Sequence, residues 1–158
     1  MALPSSGQIT LNQVNVELGL SGTAQIGLGD SSVRTLFGVA SGQITMSNGY
    51  GKANVFTLTF SSHTANPDIN ALATAAGWDG STELIVQVNS GIYVYSTDNN
   101  PNYFGLHANV PCTINNYGNI IGQGGIGGGS FQPGGQALKI SSSGVTVINH
   151  SGAYIAGG

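Results

Sequence analysis

Charged residues are nearly missing from this 158-residue chain, at 6% against about 25% in an ordinary soluble domain. Only Arg34, Lys52 and Lys139 are basic. Nucleic-acid affinity comes from clustered Lys and Arg that neutralise phosphates, so DNA and RNA binding are excluded. A net charge of −3 is too small to select a partner electrostatically. Cysteine is reduced to Cys112, which excludes an intrachain disulfide framework and a CxxC zinc site. Beside Pro111 in an apolar stretch, Cys112 reads as a buried, inert thiol. No run of about 18 apolar residues is present, so no membrane insertion is expected. A basic n-region followed by an apolar h-region is also missing, so export by a signal peptide is not indicated.

The chemistry of a catalytic or metal site is equally sparse. The six acidic residues are scattered, and Asp79 with Glu83 reads as a turn followed by a strand rather than an acid–base pair. His63, His107 and His150 stand apart, without HxH or HExxH spacing. No GxSxG elbow precedes a helix. The glycine run 124–129 superficially resembles a phosphate loop, but Ser130-Phe131-Gln132-Pro133 follows where a helix and a Lys-Ser/Thr pair are required. The expectation is a non-enzymatic protein with no cofactor and no metal.

What the chain does contain is glycine, 26 residues of it, interleaved with aliphatics and tyrosines to a hydrophobic content of 40%. That interleaving favours ordered β-structure over a linker, except in the glycine run itself. Residues 1–53 carry an internal echo: Ser6-Gly7-Gln8-Ile9-Thr10-Leu11 returns as Ser41-Gly42-Gln43-Ile44-Thr45-Met46. The first copy opens a helix over 11–18, with Thr10 as N-cap, Gln13 completing a capping box and Ile9 with Val14 as the staple. Gly19 ends it. Leu11, Val14 and Leu18 share one side and are the candidate docking residues. A second helix is expected at 31–37, with Asp30 at its start, Gly38 at its end and an Asp30–Arg34 surface pair. Helices this short need something to pack on.

Residues 54–112 read as a small α/β module. Alternation predicts a strand at 55–60, and Asn66-Pro67 predicts the start of a helix with Ile69, Leu72, Ala73 and Ala76 as its apolar stripe. Gly77 and Trp78 are placed to close that helix. Strands at 83–88 and 92–96 flank Asn89-Ser90-Gly91, which predicts a hairpin. In residues 113–158, Ile114-Asn115-Asn116-Tyr117-Gly118-Asn119-Ile120-Ile121 is echoed by Ile148-Asn149-His150-Ser151-Gly152-Ala153-Tyr154-Ile155. Stacked β-turns need inward aliphatics, here Ile114, Ile121, Ile148 and Ile155, and corner residues of positive φ, here Gly118 and Gly152. Two copies are fewer than a self-sufficient solenoid needs, which points to other chains or to a chain continuing past Gly158. Tyr93, Tyr95, Tyr103, Phe104, Tyr117 and Tyr154 suit an interface or packing, with stacking on sugar rings as the alternative.

The stretches Ala2-Leu3-Pro4-Ser5-Ser6-Gly7-Gln8-Ile9, Leu28 to Val39, and Ser41 to Lys52 resemble an opening shared by tailed-bacteriophage virion proteins. Ala76-Gly77-Trp78-Asp79 and the two Ile-Asn-x-x-Gly-x-x-Ile units are similar to glycine-rich tail fibre and tail-tip proteins. The resemblance implies a structural virion component, assembled in the host cytoplasm and located in the tail. Its implied partners are other tail or baseplate proteins, sister chains in a homotrimer and a host surface receptor. A head or collar decoration protein and a glycan-binding adhesin module are the alternatives. The expected fold is mainly β with small α content. It comprises a helical N-terminal docking module (1–53), a small α/β module (54–112) and a glycine-rich β-solenoid-like segment (113–158).

Overall fold

A computed structural model of the chain describes residues 2–98, 103–125 and 133–158. Most of the glycine run 124–129 lies outside the described residues. The fold is mainly β, with three α-helices and parallel sheets. The chain divides into two compact units, one ending at Val55 and the other spanning Phe56–Gly158.

The first unit holds α1 (Leu11–Glu17), α2 (Ser31–Phe37) and a 3-10 turn at Met46–Gly49. The internal echo is structural. Thr10 N–H donates to Gln13 Oε1 at 2.8 Å, and Thr45 N–H donates to Asn48 Oδ1 at 2.8 Å, so both copies start a helical turn with a capping box. Both helices pack on a core of the unit's own residues, with Leu3, Ile9, Val14, Val33, Leu36 and Phe37 buried. Gly38 ends α2 at φ 72°. Asp30 stands at the start of α2 as expected, its side chain accepting from Gly27 N–H. The expected surface pair changes. Instead of pairing with Asp30, Arg34 donates to the carbonyls of Val39 and Gly42, because the chain leaving α2 offers unpaired acceptors within its reach.

The second unit is built from β1 (Val55–Phe60), β2 (Thr64–Ala65), α3 (Ile69–Ala75), β3 (Glu83–Val88), β4 (Tyr93–Tyr95) and β5 (Phe104–Ala108). There follow β6 (Cys112–Asn116), β7 (Asn119–Ile121), β8 (Gln136–Ile140), β9 (Val145–Asn149) and β10 (Tyr154–Ala156). Among the described residues three sheets result, ordered β1-β3-β6-β9, β10-β7-β4-β2 and β5-β8. From β3 onward the chain visits them in rotation, and the partners from successive visits run parallel. Their inward side chains form one core, including Leu84, Val86, Val88, Val94, Leu106, Ile114 and Ile120. The boundary expected between residues 112 and 113 falls inside β6, which pairs with β3 on one side and β9 on the other.

Helix α3 starts two residues later than Asn66-Pro67 implied. Asp68 is the N-cap, accepting from Ala71 N–H at 2.8 Å, while Asn66 sits at φ 48° and its side chain ties to Thr97. With the Asn66 side chain engaged by Thr97, Asp68 supplies the cap. Ile69 and Ala73 are buried, whereas Leu72 is exposed. The close of α3 is as expected: Trp78 N–H reaches Ala73 O, Gly77 N–H reaches Thr74 O, and Trp78 is buried against the core.

The expected hairpin is absent. β3 and β4 exist but belong to different sheets. Gly91 at φ 76° and the Ile92 N–H to Asn89 O bond make a corner rather than a reversal. The same turn residues serve either purpose, and the partner strands elsewhere in the chain decide which.

The second echo is also rearranged. Asn116 lies opposite Asn149 and Asn119 opposite Tyr154, so the linking turns are 117–118 in one copy and 150–153 in the other. This register places Val147 beside Ile114 and leaves Ile148 opposite Asn115. Ile114 is therefore buried while Ile148 and Ile155 are exposed; β9 and β10 are edge strands. Gly152 has the expected positive φ of 83°. Gly118 does not, and is required for another reason: a Cβ there would lie 2.5 Å from the carbonyl oxygens of both Asn89 and Ile92. The corner between these two sheets is locked by the fully buried Asn116. Its Nδ2 donates to Asn149 Oδ1 at 2.7 Å and Tyr154 O at 3.1 Å, and its Oδ1 accepts from Gly118 N–H at 3.2 Å.

Candidate functional site

The three candidate docking residues are not brought together at the surface. Val14 is fully buried in the first unit's core, Leu18 is partly buried against that core, and Leu11 is exposed. The apolar residues that α1 and its exit turn do present to solvent are Leu11, Val16 and Leu20. Val16 borders a groove that Leu3 and Pro4 also line. Leu20 lies beyond the end of α1, past Gly19 at φ 74°, so helical spacing in the sequence does not relate it to Val16.

In the second unit the outward face of the β2–β4–β7–β10 sheet is the most distinctive surface. Strand alternation puts the fully buried Val94 and Ile120 inward. Their neighbours therefore face out in two rows. Tyr93, Asn119 and Tyr154 are in register in one, and Ala65, Tyr95, Ile121 and Ala156 in the next. Tyr93 is 45% exposed and Tyr154 65%. His63 Nδ1 accepts the Tyr93 N–H at 3.0 Å, with the two rings edge to face. At the neighbouring corner, Tyr117 stacks on His150 at 3.8 Å between centroids. No Asp, Glu, Lys or Arg stands in either row. Phe104 is not part of this surface: it is buried, with the Lys139 ammonium over its ring.

The histidines read as isolated in sequence all have partners in the fold. His107 is the most connected. Its Nδ1 lies 3.1 Å from Asp68 Oδ2 and its Nε2 lies 2.8 Å from Ser141 Oγ. Carboxylate, imidazole and hydroxyl in that order make up the catalytic triad of serine hydrolases. Here the carboxylate caps α3 through Ala71 N–H and also accepts from Asn109, while Ser141 N–H is occupied by Ala108 O and is not free to hold an oxyanion. The trio ties α3 to the third sheet. Burial pushes the Asp68 carboxyl upward, but the bonds from Ala71 and Asn109 and the neighbouring His107 outweigh it and hold the group below its usual value. Asp79 closes a turn by accepting from Ser81 and Thr82, and those bonds hold its carboxyl well below the usual range. Burial pushes the Cys112 thiol up to about 11, so it stays protonated at neutral pH. Among the described residues, no group of three or more His, Cys, Asp or Glu is placed to hold a metal.

The family model described as phage tail fibre adhesin Gp38 matches residues 55–158, the whole of the parallel-sheet unit. The chain belongs to the Gp38 tail fibre adhesin family. No curated protein and no solved structure matches it. Membership places the protein in the virion tail, with other tail proteins and host receptors as the partners of such an adhesin. The tail location displaces the head or collar alternative.

Proposed function

We propose that this Gp38-family adhesin contacts the host through the outward face of the β2–β4–β7–β10 sheet and attaches to the tail through residues 1–53. The observation carrying the reading is the pair of in-register, uncharged rows containing Tyr93, Tyr95 and Tyr154. Exposed tyrosines supply large, rigid contact area at low conformational cost. The protein acts by binding alone, without a catalytic step. The parallel pairs β6–β9 and β7–β10 support a solenoid-like course for 113–158, joined through β3 to the module 54–112. Ile140, Ile148 and Ile155 on the edge strands are exposed, in keeping with self-association as a homotrimer.

Phage carrying Tyr93→Ala with Tyr154→Ala should adsorb to host cells at least tenfold more slowly while containing the normal amount of the protein by immunoblot. Adsorption at the unmodified rate would remove this face from host contact.

A further inference from the structure

The row Tyr93–Asn119–Tyr154 has the dimensions of a particular ligand. Adjacent strands lie about 4.8 Å apart, so the strand positions carrying the two tyrosines, separated by β7, flank Asn119 at roughly 9.6 Å. A pyranose ring touching a flat aromatic on each side at about 4–4.5 Å needs walls close to that separation. The floor between the walls is the Asn119 side chain. Its backbone N–H is taken by Ile92 O, but its amide makes no hydrogen bond among the described residues, which leaves a donor and an acceptor for ring hydroxyls. The apolar C–H faces of a sugar match the ring faces of Tyr93 and Tyr154, and its hydroxyls match the amide and the phenols. The surrounding positions Ile121 and Ala156 offer no charge. An acidic sugar or a phosphate would go unpaired there, so the ligand is neutral.

Resting on the assignment of this face to host contact, we infer that the slot between Tyr93 and Tyr154 over Asn119 binds one neutral pyranose unit of a host-surface glycan. The full chain, printed on an array of neutral and acidic oligosaccharides and titrated with methyl pyranosides by saturation-transfer NMR, tests this. Binding is expected to neutral pyranosides, and to fall at least tenfold in Asn119→Ala and in Tyr154→Ala. Unchanged Trp78 fluorescence in both variants would show that the fold is kept. Binding confined to acidic glycans, or variants that bind as the parent does, would overturn the inference. An array without binding, combined with phage adsorption that still requires Tyr154, would also overturn it, since the face would then read a protein. If adsorption does not require Tyr154 either, the contact face itself fails.

Discussion

Glycine serves two distinct purposes at the corners of the parallel-sheet unit. At Gly152 the requirement is conformational, since φ is 83° and a Cβ would meet open space. A non-glycine residue there costs about 1–2 kcal/mol. At Gly118 the requirement is steric and involves backbone atoms that cannot rotate away. Gly118→Ala should therefore lower the urea midpoint, followed by Trp78 fluorescence, more than Gly152→Ala does. Equal effects would contradict this distinction. Asp68 gives a second residue-level expectation. Its carboxyl titrates below the ordinary value of 3.8 in the folded chain. The stability it contributes is thus complete above that value and is lost as pH falls through the folded value. Asp68→Asn retains an N-capping oxygen but removes this titration. The drop in thermal midpoint from pH 6 to pH 3 should shrink in Asp68→Asn, and a drop as large as in the parent chain would refute the assignment.

Among the elements, α1 separates folding from attachment. Val14 is fully buried and Val16, one half-turn away, is 52% exposed. Val14→Asp would bury an unpaired carboxylate, costing several kcal/mol, and should unfold the first unit outright. Val16→Asp should keep the unit folded by circular dichroism while reducing incorporation into virions several-fold. Normal incorporation of folded Val16→Asp protein would mean that this side of α1 does not contact the tail. The capping box at Thr10 illustrates the reverse case, in which a local signal alone placed a helical start.

At the scale of the whole molecule, parallel pairing makes stability depend on position within each sheet. β3 and β6 have partners on both sides, whereas β9 and β10 are edges. Amide exchange should be slowest in β3 and β6 and faster in β9 and β10, since edge strands open without disrupting the core. Gly152→Val should speed exchange across 145–156 and leave 83–88 protected. Loss of protection throughout both regions would show that the sheets open only as one unit.

The amino-acid sequence by itself determined what depends on near neighbours. The Thr10–Gln13 pattern marked a capped helical start, and Gly77-Trp78 closed α3 as its local hydrogen bonds require. The alternation at 55–60 and 83–88 marked strands because side chains alternate between faces regardless of what lies alongside. Only the tertiary structure decided which strands pair, because parallel partners such as Ile85 and Thr113 or Tyr93 and Asn119 are far apart in sequence and share no turn. That is why Asn89-Ser90-Gly91 reads as a hairpin and folds as a corner. It is also why β5 and β8, which carry no strong alternation, went unmarked. The same dependence hid both polar clusters. Asp68, His107 and Ser141 meet only because α3, β5 and the end of β8 converge. Tyr93, Asn119 and Tyr154 form a row only because three parallel strands fall into register, and no spacing along the chain encodes that register.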